Sequence, residues 1–210
     1  MAEEYFDIYD DAMNPIGIAT RKETHEKGYW HRSFHCWLTR REGDRRFVRF
    51  QLRADNKDTH PGHYDITAAG HLTAGETLQD AVRELEEELG VSASFEQLIP
   101  LGEVREEAVG SVRGIAFIDR EVSHVFGLIC DVPLAALKLQ PEEVAGVYEA
   151  DLEKLILLFE GALPELPVEG IELTDPNTPI SVRRTVMVKD FIPREPGYYA
   201  GIMRALRSCT

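Results

Sequence analysis

The stretch from Ala69 to Val91 constrains the fold more than any other part of the chain. After a glycine-bearing loop, apolar residues recur at three- and four-residue steps, the spacing of one buried helical face. Thr77 with Asp80 three residues later resembles a helix-capping box, and Gly90 suits the end of a helix. The pattern predicts a loop followed by an amphipathic helix whose buried residues are Leu78, Ala81, Val82, Leu85 and Leu89.

Three glutamates, Glu84, Glu87 and Glu88, lie on the other face of this helix at positions i, i+3 and i+4. Like charges at that spacing destabilise a helix by roughly 0.2–0.5 kcal/mol per pair, so such a cluster needs a compensating partner. A divalent cation is one, because Mg²⁺ typically binds through one or two carboxylates together with substrate phosphates. The alternative is a solvated acidic face, which is the commoner role of glutamates on a helix.

Gly70, Glu76, Arg83-Glu84-Leu85, Glu87-Glu88 and Gly90-Val91 together resemble the Nudix box, the signature of the Nudix hydrolases. The match spans residues 70–91 in the order of the family. One departure is that the segment between Glu76 and Arg83 is one residue shorter than in the family. Because the apolar spacing of the helix is intact, we place the missing residue at the junction of loop and helix.

The resemblance implies an α/β fold, a three-layer α/β/α sandwich with a mixed β-sheet, and metal-dependent hydrolysis of a diphosphate linkage. Glu84, Glu87 and Glu88 would hold Mg²⁺ or Mn²⁺, and the backbone carbonyl of Ala69 and the Glu121 side chain would be further ligands. Arg83 would pair with Glu76 or a helix glutamate. The residues implied in catalysis are Glu84, Glu87, Glu121 and Arg83.

A second set of residues resembles isopentenyl-diphosphate isomerase, itself a Nudix-fold enzyme, over roughly residues 5–150. The isomerase protonates its alkene with a cysteine that this chain replaces with Ala69, which has no acidic proton, so isomerisation is not expected. The positions of the isomerase metal ligands fall on residues that can each bind a metal, which implies a second metal or substrate site. These residues are His25, His31, His71, Asp119 and Glu121. The alternative for the histidines is a hydrogen-bonded framework.

Two basic residues, Arg53 and Lys57, follow an alternating segment at 47–52 that predicts a strand. In similar Nudix proteins such residues approach the substrate phosphate, and solvated charge is an equal alternative. We expect Arg105-Glu106-Glu107 to be solvated.

Composition bounds the partners and the compartment. The chain has 210 residues and a net charge of −14, so binding to a nucleic-acid polymer is disfavoured by phosphate repulsion. The three cysteines are far apart and odd in number, which favours a reducing interior. The N-terminus is acidic and no apolar run reaches the length of a membrane span, so we expect a cytoplasmic protein that does not enter a membrane.

The chain order predicts a Nudix domain over residues 1–160 and an extension over 161–210 packed on the same domain. An N-terminal β-hairpin is expected at 5–20 and a strand at 95–104. Residues 111–130 should form two strands around a loop at 119–121. Prolines at 164, 167, 176 and 179 indicate irregular chain, followed by a terminal helix at 197–206. That helix either docks on the core, which we favour, or forms a homodimer face.

Three functions compete at this point: a hydrolase, an isomerase, and a non-catalytic module that binds a diphosphate ligand. The complete acid cluster favours a hydrolase acting on a small-molecule diphosphate. Its organic group is left open between a nucleoside diphosphate derivative and an isoprenoid-type diphosphate.

Overall fold

A computed structural model describes residues 3–57, 59–112, 115–175 and 178–210. All eleven strands of these residues belong to one mixed sheet, whose central path runs β11-β10-β9-β4-β3-β1-β2. The parallel pair is β3 with β8, and the other pairs are antiparallel. The strands are β1 (Tyr5–Tyr9), β2 (Pro15–Thr20), β3 (Trp30–Glu42), β4 (Arg45–Arg53), β5 (Tyr64–Asp65), β6 (Ala68–His71), β7 (Ile99–Val112), β8 (Ile115–Ile129), β9 (Val144–Asp151), β10 (Leu166–Asp175) and β11 (Thr178–Val186). The helices are α1 (Arg21–Lys27), α2 (Arg83–Leu89), α3 (Leu152–Phe159) and α4 (Tyr198–Cys209).

The sheet separates two hydrophobic cores because alternate residues of a strand face opposite sides. On β3, Phe34, Cys36 and Leu38 pack in one core with the buried face of α2. Trp37 faces the other core, which contains the apolar residues of α3 and α4. The arrangement confirms the predicted α/β/α sandwich with a mixed sheet.

The N-terminal hairpin is confirmed as β1 and β2, which pair antiparallel. The segment expected to begin as a strand at residue 95 instead opens with a 3₁₀ turn, Phe95–Gln97, before β7. Ser94 and Gln97 form a capping box around this turn, a local arrangement that outweighs the β propensity of Phe95.

The predicted loop at 119–121 is wrong. Asp119 and Glu121 lie within β8, where Glu121 is paired with His31 of β3 and with Glu106 of β7. Both carboxylates point from one side of a continuous strand, because the two residues are two positions apart. The acids therefore belong to a site on one face of the sheet and not to a turn.

The irregular chain predicted beyond residue 160 is also wrong, because β10 and β11 form a hairpin that extends the sheet. Pro167 precedes the part of β10 that pairs with β9, and Pro179 lies on the outermost strand, so neither removes a hydrogen bond from the centre of the sheet. Pro176 lies outside the described residues.

The C-terminal helix docks on the core, as favoured from the sequence, because its apolar face is buried within the same chain: Tyr198, Tyr199, Ile202, Met203 and Leu206. The shared sheet and core support our proposal that residues 161–210 are an extension packed on the domain formed by residues 1–160. None of the helices in the described part of the chain combines the length and apolar character needed to cross a membrane.

Candidate active site

The helix α2 is positioned by local hydrogen bonds and by its apolar face. Asp80 Oδ2 accepts from the Thr77 backbone N–H at 2.9 Å, and a 3₁₀ turn, Asp80–Val82, leads into the helix. Gly90 ends it in the left-handed conformation, with φ of 66°. Ala81, Leu85 and Leu89 are buried, so the glutamates are left at the edge of the sheet beside β6.

Arg83 connects the acids of the helix and of the preceding loop. Its Nε donates to Glu76 Oε1 at 2.7 Å, and its Nη1 donates to Glu84 Oε1 at 2.8 Å and to Glu87 Oε2 at 2.9 Å. A 3₁₀ turn lies at 80–82, between Glu76 and Arg83, and Glu76 reaches Arg83 across it. One guanidinium therefore holds three carboxylates together.

Glu88 and Glu84 are buried carboxylates. Glu88 Oε2 accepts a hydrogen bond from the Ala69 backbone N–H at 3.3 Å. Burial, with the neighbouring Glu84 and Glu143 carboxylates, raises the pKa of Glu88 well above its usual value. Burial also raises the pKa of Glu84, although Arg83 opposes it. A nearby cation stabilises the ionised form of such buried carboxyl groups.

Gly70 makes room for Glu84. A Cβ added at this glycine would overlap the carboxyl group of Glu84, whose farthest atom, Oε2, would lie at 2.7 Å. The glycine thus acts as a cradle for the carboxylate, which accounts for its place in the sequence pattern.

A second cluster joins three histidines and two acids at one end of β3 and β8. His71 Nε2 lies 2.8 Å from Glu121 Oε1, and Asp119 Oδ1 lies 3.4 Å from His25 Nε2 and 3.5 Å from His31 Nε2. Two overlapping groups of three residues, one of histidines and one of His31 with the two acids, have ligand atoms within 4.8 Å of one another. Among the described residues, the glutamates of α2 do not form such a group.

The histidine cluster is enclosed and partly unsatisfied. His25 Nε2, His31 Nε2 and Asp119 Oδ1 are buried without a hydrogen-bond partner among the described residues. Phe6 of β1 is fully buried and stacks on His31, with ring centroids 5.1 Å apart and planes 6° from parallel.

The charge states of this cluster follow from its neighbours. Burial, with the adjacent His71, lowers the pKa of His31 to about 4. Burial acts to raise the pKa of Glu121, but His71, His31 and His35 together outweigh it, and the pKa falls well below its usual range. Ser33 Oγ donates to the second oxygen of Glu121 at 2.9 Å. The cluster thus pairs neutral and ionised ligands of the kinds that divalent transition metals accept.

A cavity of about 650 Å³ is lined both by the glutamates of α2 and by residues of the histidine cluster. Arg53 and Lys57, predicted as phosphate-binding residues, both line it. Arg53 Nη1 donates to Asp65 Oδ2 at 3.2 Å, and Lys57 is paired with Glu143. Each of these two basic side chains is therefore paired with an acid.

The cavity wall includes titratable residues that the sequence analysis does not predict as site residues, among them His35, Asp65, Glu106 and Arg194. Strand alternation on β3, which places Ser33 and His35 on one face, was a usable signal for His35. The expectation that Glu106 is solvated is wrong, because Glu106 is paired with Arg194. That pair joins residues 88 apart in the chain, and no local pattern reports such a contact.

Comparisons with known proteins agree with this geometry. The family model of the NUDIX domain matches residues 29–168. An uncharacterized Nudix hydrolase of Clostridium acetobutylicum is 37% identical over 207 residues, which cover 98% of both chains. Isopentenyl-diphosphate Delta-isomerase 2 of Photorhabdus laumondii is 30% identical over 162 residues, which cover 76% of this chain and 84% of the isomerase.

A solved structure from Deinococcus radiodurans has a TM-score of 0.51 and 18% identity over 75% of this chain and 90% of its own, a likeness of fold alone. The family match covers most of the chain and includes the loop and helix that carry the acids. The chain therefore belongs to the Nudix family, within its isopentenyl-diphosphate isomerase-like branch.

Proposed function

We propose that this protein is a divalent-metal-dependent hydrolase that cleaves the diphosphate linkage of a small organic pyrophosphate, with Mg²⁺ or Mn²⁺ as the metal. Membership of the Nudix family and the similarity to a protein named as a Nudix hydrolase support the reaction class. The organic group of the substrate is not specified by this proposal.

The observation that carries the proposal is the burial of Glu84 and Glu88 beside Gly70. Burial of ionised carboxylates is costly unless a cation compensates it, and Arg83 contacts Glu84 but not Glu88 among the described contacts. Oxygen ligands from acids and a backbone carbonyl are those that Mg²⁺ prefers. The residues present therefore fit a hard divalent cation.

We assign the metal ligands to the side chains of Glu84, Glu87, Glu88 and Glu121 and to the carbonyl oxygen of Ala69. When bound, such a cation neutralises the diphosphate and lowers the pKa of a coordinated water. Arg83 keeps Glu84 and Glu87 in place. Glu87 is half exposed and Arg83 binds its Oε2, so its Oε1 is the oxygen available to the cation, or to the proton of the attacking water where the other acids hold the cation.

The cluster of His25, His31, His71 and Asp119 is assigned as a second cation site that shares Glu121. Its buried, unpartnered Nε2 and Oδ1 atoms support this assignment, because unpaired polar atoms are rare in protein interiors. Arg53 and Lys57 are assigned to bind substrate phosphate, supported by their place in the cavity wall.

An isomerase is the alternative suggested by the Photorhabdus laumondii relative. It is disfavoured by Ala69, which offers no proton. Cys36 does not replace the missing acid, because it is fully buried in the core beneath α2 and burial raises the pKa of its thiol.

The test is release of phosphate or a monophosphate, with Mg²⁺ and with Mn²⁺, from a panel of nucleoside diphosphate derivatives and isoprenoid diphosphates. Glu87→Gln and Glu88→Gln should lower turnover by roughly 100-fold or more, the scale of a lost electrostatic group at an active site. Glu86→Gln is the matched control, because Glu86 is exposed on the same helix and bonds Ser92. Metal binding without turnover on any substrate would favour a non-catalytic binding module.

A further inference from the structure

Arg194 reaches the cavity from a part of the chain outside the family match. It lies between the 3₁₀ turn Val188–Asp190 and α4, whereas the NUDIX match ends at residue 168. Ile192, Pro193 and Arg194 all line the cavity. The C-terminal extension therefore supplies part of the wall that faces the substrate.

The guanidinium of Arg194 bridges the cavity wall between two strands. Its Nη2 donates to Asp65 Oδ1 of β5 at 3.2 Å, and its Nη1 is paired with Glu106 of β7. Its flat face lies over the Tyr198 ring, 4.9 Å from the centroid. These contacts fix the side chain in the wall of the cavity that Glu121 also lines.

The use of its nitrogens distinguishes Arg194 from Arg83, the arginine that holds the acids of the helix together. A guanidinium has five N–H groups, and Arg194 uses two of them in hydrogen bonds to described residues. Its Nε is buried without any partner among those residues. By contrast, all three nitrogens of Arg83 donate to its carboxylates.

A purely structural clamp is the competing explanation. A clamp of this kind has little energetic advantage, because a buried ion pair is often no more stabilising than an apolar contact of the same size. A clamp also gains from engaging all three of its nitrogens, as Arg83 does. Spare donors on a fixed cation at a cavity wall are instead suited to oxygen atoms that arrive with a ligand.

We propose that Arg194 is a substrate-binding residue through which the C-terminal extension donates hydrogen bonds to the phosphoryl oxygens of the diphosphate. The inference rests on the proposed function for the identity of the ligand. It makes residues 192–194 part of the active site. The family match does not reach this segment.

The test uses calorimetry to measure, in the presence of Mg²⁺, the binding of methylene diphosphonate, an analogue of diphosphate that cannot be hydrolysed. Arg194→Gln should weaken binding roughly 10- to 100-fold, the loss of one or more charge-assisted hydrogen bonds. Arg194→Lys should recover only part of it, because a lysine keeps the charge but not the planar fork. Arg204→Gln is the control, since Arg204 lies on α4 and pairs with Glu160 at the surface.

Because the probe is not cleaved, this test does not depend on turnover. If wild-type protein binds the probe through Arg194 and hydrolyses nothing, the proposed function fails and the inference stands. With an active substrate, KM should rise in Arg194→Gln while kcat changes by less than about threefold, a split that a structural role would not produce.

Unchanged affinity in a folded Arg194→Gln variant would overturn the inference. If that variant does not fold, the pair Arg194→Gln with Glu106→Gln keeps the charge balanced and leaves Asp65 with Arg53. Failure of this double variant and of Arg194→Lys to fold would also overturn it, in favour of the clamp.

Discussion

Substitution of Gly70 by alanine should remove activity while leaving the fold intact. The backbone of Gly70 is ordinary strand, without a positive φ, so alanine introduces no backbone strain. The new Cβ would overlap the Glu84 carboxyl group, the end of a flexible side chain. The carboxylate can therefore move while the backbone stays in place.

The size of the movement sets the expected loss. The farthest carboxyl atom would lie at 2.7 Å, whereas non-bonded contacts require about 3.5 Å, so Glu84 must withdraw by on the order of 1 Å. A misplacement of about 1 Å at a catalytic group costs roughly 100-fold in rate, or about 2.7 kcal/mol of transition-state stabilisation. The free energy of unfolding should change by less than about 1 kcal/mol.

The assay pairs metal-dependent phosphate release with urea unfolding of the same preparation. Gly201→Ala is the matched control, because Gly201 is exposed on α4 with nothing within 4 Å of an added Cβ. It should keep full activity and gain up to about 1 kcal/mol of stability. Full activity in folded Gly70→Ala would refute the placement of Glu84 at the metal, and unfolding would refute the claim that the clash is borne by a side chain.

Three further substitutions test the packing around the site. Arg49→Met should lower the free energy of unfolding by about 1–3 kcal/mol in urea titrations, because it removes the buried hydrogen bond to Glu149 Oε2 at 3.1 Å while Glu149 keeps its ion pair with Arg40. Phe6→Ala should cost about 3–5 kcal/mol in the same assay by opening a cavity beside His31. Asp65→Asn should make the free energy of unfolding less dependent on pH at acid pH. Burial acts to raise the pKa of Asp65, but Arg194 and Arg53 bring it below its ordinary value. Its stabilisation is therefore complete above the pKa of the unfolded state and is lost as pH falls through the folded one.

Each of these three has a control on the surface. Arg45→Met removes an exposed ion pair with Asp151 and should cost less than about 1 kcal/mol. Tyr5→Ala changes a half-exposed aromatic residue on the same strand as Phe6, and Asp55→Asn changes an exposed acid. Effects as small as those of the controls, or an acid limb unchanged by Asp65→Asn, would contradict the predictions.

The helix α2 could be predicted because its signals are local. Thr77 and Asp80 mark the 3₁₀ turn that leads into it, Gly90 marks its end, and its apolar period matches the face that packs on the sheet. The acids follow from the same spacing. The family resemblance supplied the order of the acids, whereas the contacts of Arg83 with all three partners needed the structure.

What could not be predicted depends on pairing between distant segments. The hairpin β10–β11 has prolines that indicate irregular chain, and only its position at the edge of the sheet makes them tolerable. In the sequence, Asp119 and Glu121 resemble a turn because both are charged. The strand β8 nevertheless runs continuously through them. Arg194 has no sequence motif around it. Its place in the cavity wall depends on contacts with Asp65 and Glu106, which are far from it in the chain.

The most direct measurement follows the hydrolysis of an active substrate from the panel in water enriched in the heavy isotope of oxygen. Mn²⁺ is present, and the products are analysed by mass spectrometry. The account predicts that one product phosphate carries a single heavy oxygen from the attacking water, and that Glu87→Gln suppresses this product while Glu86→Gln does not. An isomerised diphosphate without label would contradict it, as would labelled product formed equally well without a divalent metal.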